Sequence, residues 1–299
     1  MLSPISVRWL CAVIVVHMMI TGAFALTYQW NGSASSVWSE PANWNPTGSP
    51  AEITAGPAPI GTNLDLRLNV SNGSANALIY DSSRGTTRYG GLGIRGLVIG
   101  TGVAKGSMQI TGGTFDTTSS NVQDALSSSS TANESQLVID GGIYRSGTLQ
   151  LGLNNPSRNT FTVSRGLAVV DRIDFNVQDG VATLNLDGGS LQTKSFKMST
   201  TTPAGSSNAM NFNGGTLVAG ETTSLFLPDL PRTSAFVKPG GLNVDTNGYD
   251  ISIAEPLVGA GGGLVKSGMG RLTISAAATY TGSTVCLLYT SDAADEEDS

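Results

Sequence analysis

The densest set of residues suited to acid–base chemistry is Asp171-Arg172-Ile173-Asp174, with Lys194 and Lys197 about one repeat later. Two carboxyls flanked by Arg or Lys are the equipment of polysaccharide lyases and hydrolases, in which one carboxyl gives a proton while the other takes one or attacks. The spacing argues against convergence here. On an extended strand Asp171 and Asp174 have opposite parity and point to different faces unless a corner intervenes. Solvated corner and strand positions are the simpler reading, so no catalytic residue is assigned.

A second candidate is aromatic. Trp30, Trp38 and Trp44 hold three of the four tryptophans, and their ring faces could stack on sugars as glycan contacts. The competing reading is a cap that covers the open first turn of a stacked fold, whose strand edge must be protected.

Other chemistries are excluded by composition. The single histidine, His17, and the two cysteines, Cys11 and Cys286, all fall near the ends, so residues 26–285 contain neither type. Disulfides, thiolate nucleophiles, His-based triads and the usual zinc sites are therefore absent from this body. No cofactor or metal site is assigned. The remaining oxygen ligands would suit Ca²⁺ or Mg²⁺ far better than zinc or copper.

Both ends are set aside before the fold is read. Arg8, the apolar run from Trp9 to Ile20 and the small-residue site Ala23-Phe24-Ala25 form the pattern of a secretory signal peptide, cleaved between Ala25 and Leu26. Residues 1–25 are read as that signal. The run falls short of the roughly 20 apolar residues needed to span a bilayer, so no membrane span is expected after its removal. At the other end, Cys286-Leu-Leu-Tyr-Thr-Ser-Asp-Ala-Ala-Asp-Glu296 is similar to a translated sequencing adapter, and residues 286–299 are read as an artefact. On that reading the natural chain continues beyond Val285.

Charge then looks different. Setting aside Asp292, Asp295, Glu296, Glu297 and Asp298 leaves 17 of the 22 acids, and setting aside Arg8 leaves 15 of the 16 basic residues. The formal net charge becomes −2 in place of −6. Neither an acidic protein nor a nucleic-acid partner is implied.

The body is a repeat array. An alternating apolar strand, a paired glycine and a second short alternating strand recur as Ser107-Met-Gln-Ile-Thr-Gly-Gly-Thr-Phe-Asp116, Gln136–Arg145, Thr183–Gln192 and Ala209–Val218, with Arg165-Gly166 replacing the pair in Thr160–Val169. A looser copy stands at Gly240-Gly241. The second glycines, 113, 142, 166, 189, 215 and 241, lie 29, 24, 23, 26 and 26 residues apart, which indicates one turn of a solenoid per repeat. Further strands are expected at Leu97–Gly100, Leu149–Gly152, Ile173–Phe175 and Phe196–Met198. Ser119–Thr131 and Thr200–Ser207 are read as polar loops. Paired glycines suit sharp corners, and the phrase lacks the third Gly and the Asp of a Ca²⁺-binding nonapeptide.

These features predict an all-β, right-handed, single-stranded parallel β-helix with a Trp-rich N-terminal cap. Residues 26–95 would form the capping region and first strands, and residues 96–285 the repeats. Ile110, Ile139, Val163, Leu184 or Leu186, and Phe212 should share one inward column.

The C-terminal turns resemble a known family. Val244–Ile253, Gly261-Gly-Gly-Leu-Val-Lys-Ser-Gly-Met-Gly-Arg-Leu-Thr-Ile-Ser275 and Tyr280-Thr-Gly-Ser-Thr-Val285 are similar to the autotransporter-associated β-strand repeat, with Met269 and Arg271 departing from its usual small residues. The opening Tyr28-Gln-Trp-Asn-Gly32 and Ala42-Asn-Trp44 look like the start of secreted bacterial proteins that carry such repeats. The resemblance implies a secreted or cell-surface bacterial β-helix. The role expected of it is structural or adhesive and passenger-like, with surface glycans or other cell-surface proteins as candidate partners. The resemblance implies no enzyme activity. The alternatives are a glycan-binding module working through the Trp-rich start and a polysaccharide lyase or hydrolase.

Overall fold

A computed structural model describes residues 26–30, 34–36, 40–45, 64–68, 78–84, 86–88, 95–100, 106–118, 123–126, 134–152, 157–175, 180–198 and 205–287. Residues 1–25, read above as a signal peptide, Trp38 and residues 288–299 lie outside this set.

Three ladders of parallel strands rise side by side, and the chain visits them in rotation through about seven turns. A turn begins when alternating apolar residues reach a glycine corner, bends onto a second short strand, and bends again onto a third. Strands β1 (Leu26–Trp30), β2 (Trp44–Asn45) and β3 (Leu64–Leu68) open the stack. The first turns comprise β4 (Leu78–Tyr80), β5 (Thr86–Arg88) and β6 (Arg95–Ile99), then β7 (Gly106–Ile110), β8 (Thr114–Asp116) and β9 (Gln123–Leu126). In the middle the corners are absorbed into continuous strands, β10 (Glu134–Leu151) and β11 (Ser157–Phe175), followed by β12 (Gly180–Leu186) and β13 (Ser190–Met198).

The later turns are β14 (Ser207–Phe212), β15 (Thr216–Ala219) and β16 (Thr223–Leu227), then β17 (Thr233–Val237), β18 (Leu242–Asp245) and β19 (Ile251–Ile253). Last come β20 (Leu257–Val258), β21 (Leu264–Ser267), β22 (Leu272–Ile274) and β23 (Thr284–Cys286).

The predicted inward column is present. Ile110, Ile139, Val163, Leu186, Phe212 and Val237 stand in register on successive strands of the first ladder, all fully buried. Leu184 belongs to the neighbouring column with Met108, Leu137, Phe161 and Met210. Stacking at the strand spacing of about 4.8 Å places like against like, so aromatic rings meet through the core. Phe115 lies 5.3 Å from Tyr80 and 6.4 Å from Tyr144, and Tyr144 lies 6.2 Å from Phe161.

The corner glycines are needed for two separate reasons. Gly166 and Gly189 have φ of +78° and +58°, which side-chain-bearing residues rarely adopt. A Cβ on Gly166 would also stand 2.3 Å from the Gly142 carbonyl oxygen in the turn beneath.

One expected loop contains a strand. Within Ser119–Thr131, β9 pairs with β6 on one side and with the end of β10 on the other. Of its two inward positions one is Leu126 and the other is Asp124, and the polar residue hides the strand from a hydrophobic pattern.

Candidate functional site

The carboxylates singled out in the sequence are held apart by a corner. Val170 pairs with Thr193 and Arg172 with Ser195, so Asp171 and Lys194 occupy the bend between two ladders, 3.0 Å apart. Asp174 lies on the next face, where the Arg172 guanidinium donates two hydrogen bonds to it from the same side of the strand, at 2.7 and 2.9 Å. Lys197 stands opposite Asp174 on the neighbouring strand. Each carboxylate thus has its own cation.

At the N-terminal end Trp30 and Trp44 face each other across an antiparallel pairing of β1 with β2, their rings edge to face at 5.0 Å. Both are 1% exposed, so their faces are spent on packing. Asn43 ties the preceding segment down, its Oδ1 accepting from the Ala34 and Ser35 N–H groups.

Asp124 forms a polar centre inside the stack. Its carboxylate accepts hydrogen bonds from the Leu97 N–H at 2.8 Å and from the Thr117 and Tyr144 hydroxyls at 2.6 Å each. These groups come from three successive turns, so the carboxylate joins turns rather than facing solvent. Burial pushes its pKa up to about 6, and the three hydrogen bonds offset part of that rise.

The outer surface has a different feature at the third ladder. That ladder runs through β6, β9 and the ends of β10, β11 and β13, and then divides. Strand β16 pairs with β19, and β19 with β22, as a separate three-stranded sheet. The core passes beneath the division unbroken, with Phe226 edge-on to Phe196 at 6.1 Å.

The cause is local. Thr223 lies opposite Ile251 but Leu227 lies opposite Ile253, so β16 carries two extra residues and bows outward. Leu225 is pushed into solvent and is 62% exposed.

Beyond β16 the turn Pro228–Arg232 stands up as a wall. Two prolines stiffen it, and Glu255, from the following turn of the solenoid, accepts the Leu230 N–H at 2.8 Å. Burial pushes the Glu255 carboxyl up to about 7, with the Asp229 charge adding to the rise and the Leu230 hydrogen bond opposing it. Between this wall and the end of β13 lies a hollow of about 720 Å³, bordered by Lys197, Met198, Glu221, Thr223 and Leu225. A second hollow of about 360 Å³ shares Thr223 and continues over Ser224, Ser252 and Thr273, with the Asp250–Arg271 ion pair at its edge.

Of the candidate catalytic and glycan-contact residues marked in the sequence, only Lys197 borders these hollows. The two extra residues of β16 and the Pro228/Pro231 spacing were visible as sequence. Their meaning depended on knowing where the neighbouring turns lie. No group of His, Cys, Asp and Glu that could hold a metal ion occurs among the described residues. No described helix is long and apolar enough to cross a membrane. No protein-family model, curated protein or solved structure matches the chain.

Proposed function

We propose that the chain is a non-enzymatic structural or adhesive element of the cell surface or extracellular space, a stiff passenger-like stalk that presents its loops to a partner. The observation that carries this reading is the axial continuity of the stack. In-register ladders from β4 to β20 and from β5 to β23 place main-chain hydrogen bonds between every pair of turns, and a shared aromatic and aliphatic core runs beneath them. Such a stack is rigid along its axis because each turn contacts its neighbours directly. The carboxylates best placed for catalysis support the same reading, since Asp171 and Asp174 are each engaged by a different cation.

The export part of the reading rests on the Arg8 to Ala25 pattern and on the family resemblance of residues 241–285. Expression of the chain with residues 1–25 in a Gram-negative bacterium tests it. Recovery outside the inner membrane, together with no turnover of uronic-acid polymers with or without Ca²⁺, is the expected result. Reproducible cleavage that Asp171→Ala or Lys197→Ala abolishes would move the protein to the polysaccharide lyases.

A further inference from the structure

We propose that the two adjoining hollows on the divided face form a single groove for a neutral oligosaccharide of about three rings, lying along the solenoid axis with Leu225 beneath one ring. The groove differs from the Trp-rich start considered in the sequence. It adds a ligand class to the presenting role and rests on that role only for its surface setting.

The first support is dimensional. From β13 across β16 and β19 to β22 there are three strand steps, each at least about 4.8 Å, giving a trough of roughly 15 Å, the reach of about three linked pyranose rings. Thr223 borders both hollows, which places them side by side.

The second support is chemical. Thr223, Ser224, Ser252 and Thr273 offer hydroxyls that both donate and accept hydrogen bonds, as sugar hydroxyls do. Charges of both signs border the path: Lys197 and Arg232 against Glu221 and Asp229 in the larger hollow, Asp250 against Arg271 in the smaller. A net field that would favour an acidic or cationic ligand is therefore missing. The apolar lining of the larger hollow comes from Phe196, Met198, Leu225, Leu230 and the two prolines of the wall, and Leu225 is the large exposed side chain among them that can meet the C–H face of a ring. A lipid chain would cover the hydroxyls of Ser224, Ser252 and Thr273 without offering them a hydrogen-bonding group. An extended peptide would need a straight strand edge, and β16 is bowed by its two extra residues.

The third support is preorganisation. Pro228, Pro231 and the Glu255–Leu230 hydrogen bond hold the wall in place before any ligand arrives, which lowers the entropy lost on binding.

Calorimetric titration of the full chain with cellotriose, maltotriose, triacetylchitotriose and trigalacturonate tests the assignment. At least one neutral trisaccharide should bind saturably. Leu225→Asp and Ser252→Arg, both on the solvent side of the sheet, should each weaken that binding at least about tenfold, while Thr162→Ala on the first ladder leaves it unchanged. Circular dichroism of each variant establishes that it is folded. Absence of saturable binding by all three neutral sugars, binding of trigalacturonate alone, or neutral binding indifferent to both groove variants would overturn the proposal. None of these outcomes bears on export or stiffness, so the stalk reading stands or falls by its own fractionation experiment.

Discussion

The middle turns and the C-terminal turns are built from the same repeat and hold together differently. In the middle, β10 and β11 run for 18 and 19 residues and pair along nearly their whole length, turning corners without leaving the hydrogen-bonded ladder. At the C-terminal end the strands shorten to between two and five residues, and the third ladder is a separate sheet. Their interiors differ too. Phe161 is fully buried between aromatic and aliphatic neighbours, whereas Leu272 and Ile274 of β22 are half-buried. In the second ladder the inward row of Leu191, Leu217 and Val244 ends at Lys266, whose ammonium turns to the Gly268 carbonyl at 2.6 Å. Continuous pairing thus goes with a dry column of large side chains. Where the column thins, the outer strands gain room to bow and the surface acquires a groove.

The contrast is broken most directly by emptying one column in each region. Phe161→Ala should cost about 3–5 kcal/mol, because a fully buried ring leaves a cavity between turns that cannot collapse. Leu272→Ala, at a half-buried position, should cost less than about 2 kcal/mol. Urea denaturation of the two variants gives the order, and an equal or reversed order would refute the link between continuous pairing and packed columns.

A second test uses charge in place of volume, at the N-terminal side of the middle turns. The Asp124 pKa in the folded chain, about 6, lies above its ordinary value of 3.8, so the fold holds the proton more tightly than the unfolded chain does. The stabilisation from this group is therefore fully present below pH 3.8 and is lost as pH rises through 6. The loss amounts to about 3 kcal/mol between pH 3.8 and neutrality. Asp124→Asn should flatten this part of the stability–pH profile, since the Thr117 and Tyr144 hydroxyls can turn to accept from an amide. Retention of the full slope in that variant would remove Asp124 as its source.

The smallest effect compares two glycines with nearly equal φ. Gly166 in the middle and Gly248 near the end have φ of +78° and +82°. A Cβ on Gly166 would meet the turn beneath, while one on Gly248 would meet nothing within 4 Å. Gly248→Ala should therefore cost only backbone strain, about 1 kcal/mol, and Gly166→Ala about 2 kcal/mol or more. Equal costs would mean that the corner of the middle turns yields as easily as the exposed bend.

Much of the architecture was legible in the residues because a solenoid repeats one local problem. Alternation identified the inward rows, and the glycine period identified the corners. Once both are known, the register of Ile110, Ile139, Val163 and Phe212 follows from counting. The strand at Gln123–Leu126 was not legible, since Asp124 occupies an inward position that a hydrophobic pattern assigns to a loop. Only the fold supplies the Leu97, Thr117 and Tyr144 donors that make a buried carboxylate tolerable there.

The candidate site was less legible than the fold. Parity predicted the separation of Asp171 from Asp174 only for an uninterrupted strand, and the separation comes instead from the bend between two ladders that Asp171 occupies. Burial of Trp30 and Trp44 required the antiparallel return of β2, and the groove required the bow in β16 against turns 25 or more residues away. By itself the sequence determined the period, the inward rows and the absence of His and Cys chemistry from residues 26–285, all of which depend on residue type and near-neighbour spacing. The tertiary structure alone decided which polar residues are enclosed, where a ladder divides and which side chains border the resulting hollow, because these depend on the distance between turns and on how fully the core beneath them is packed.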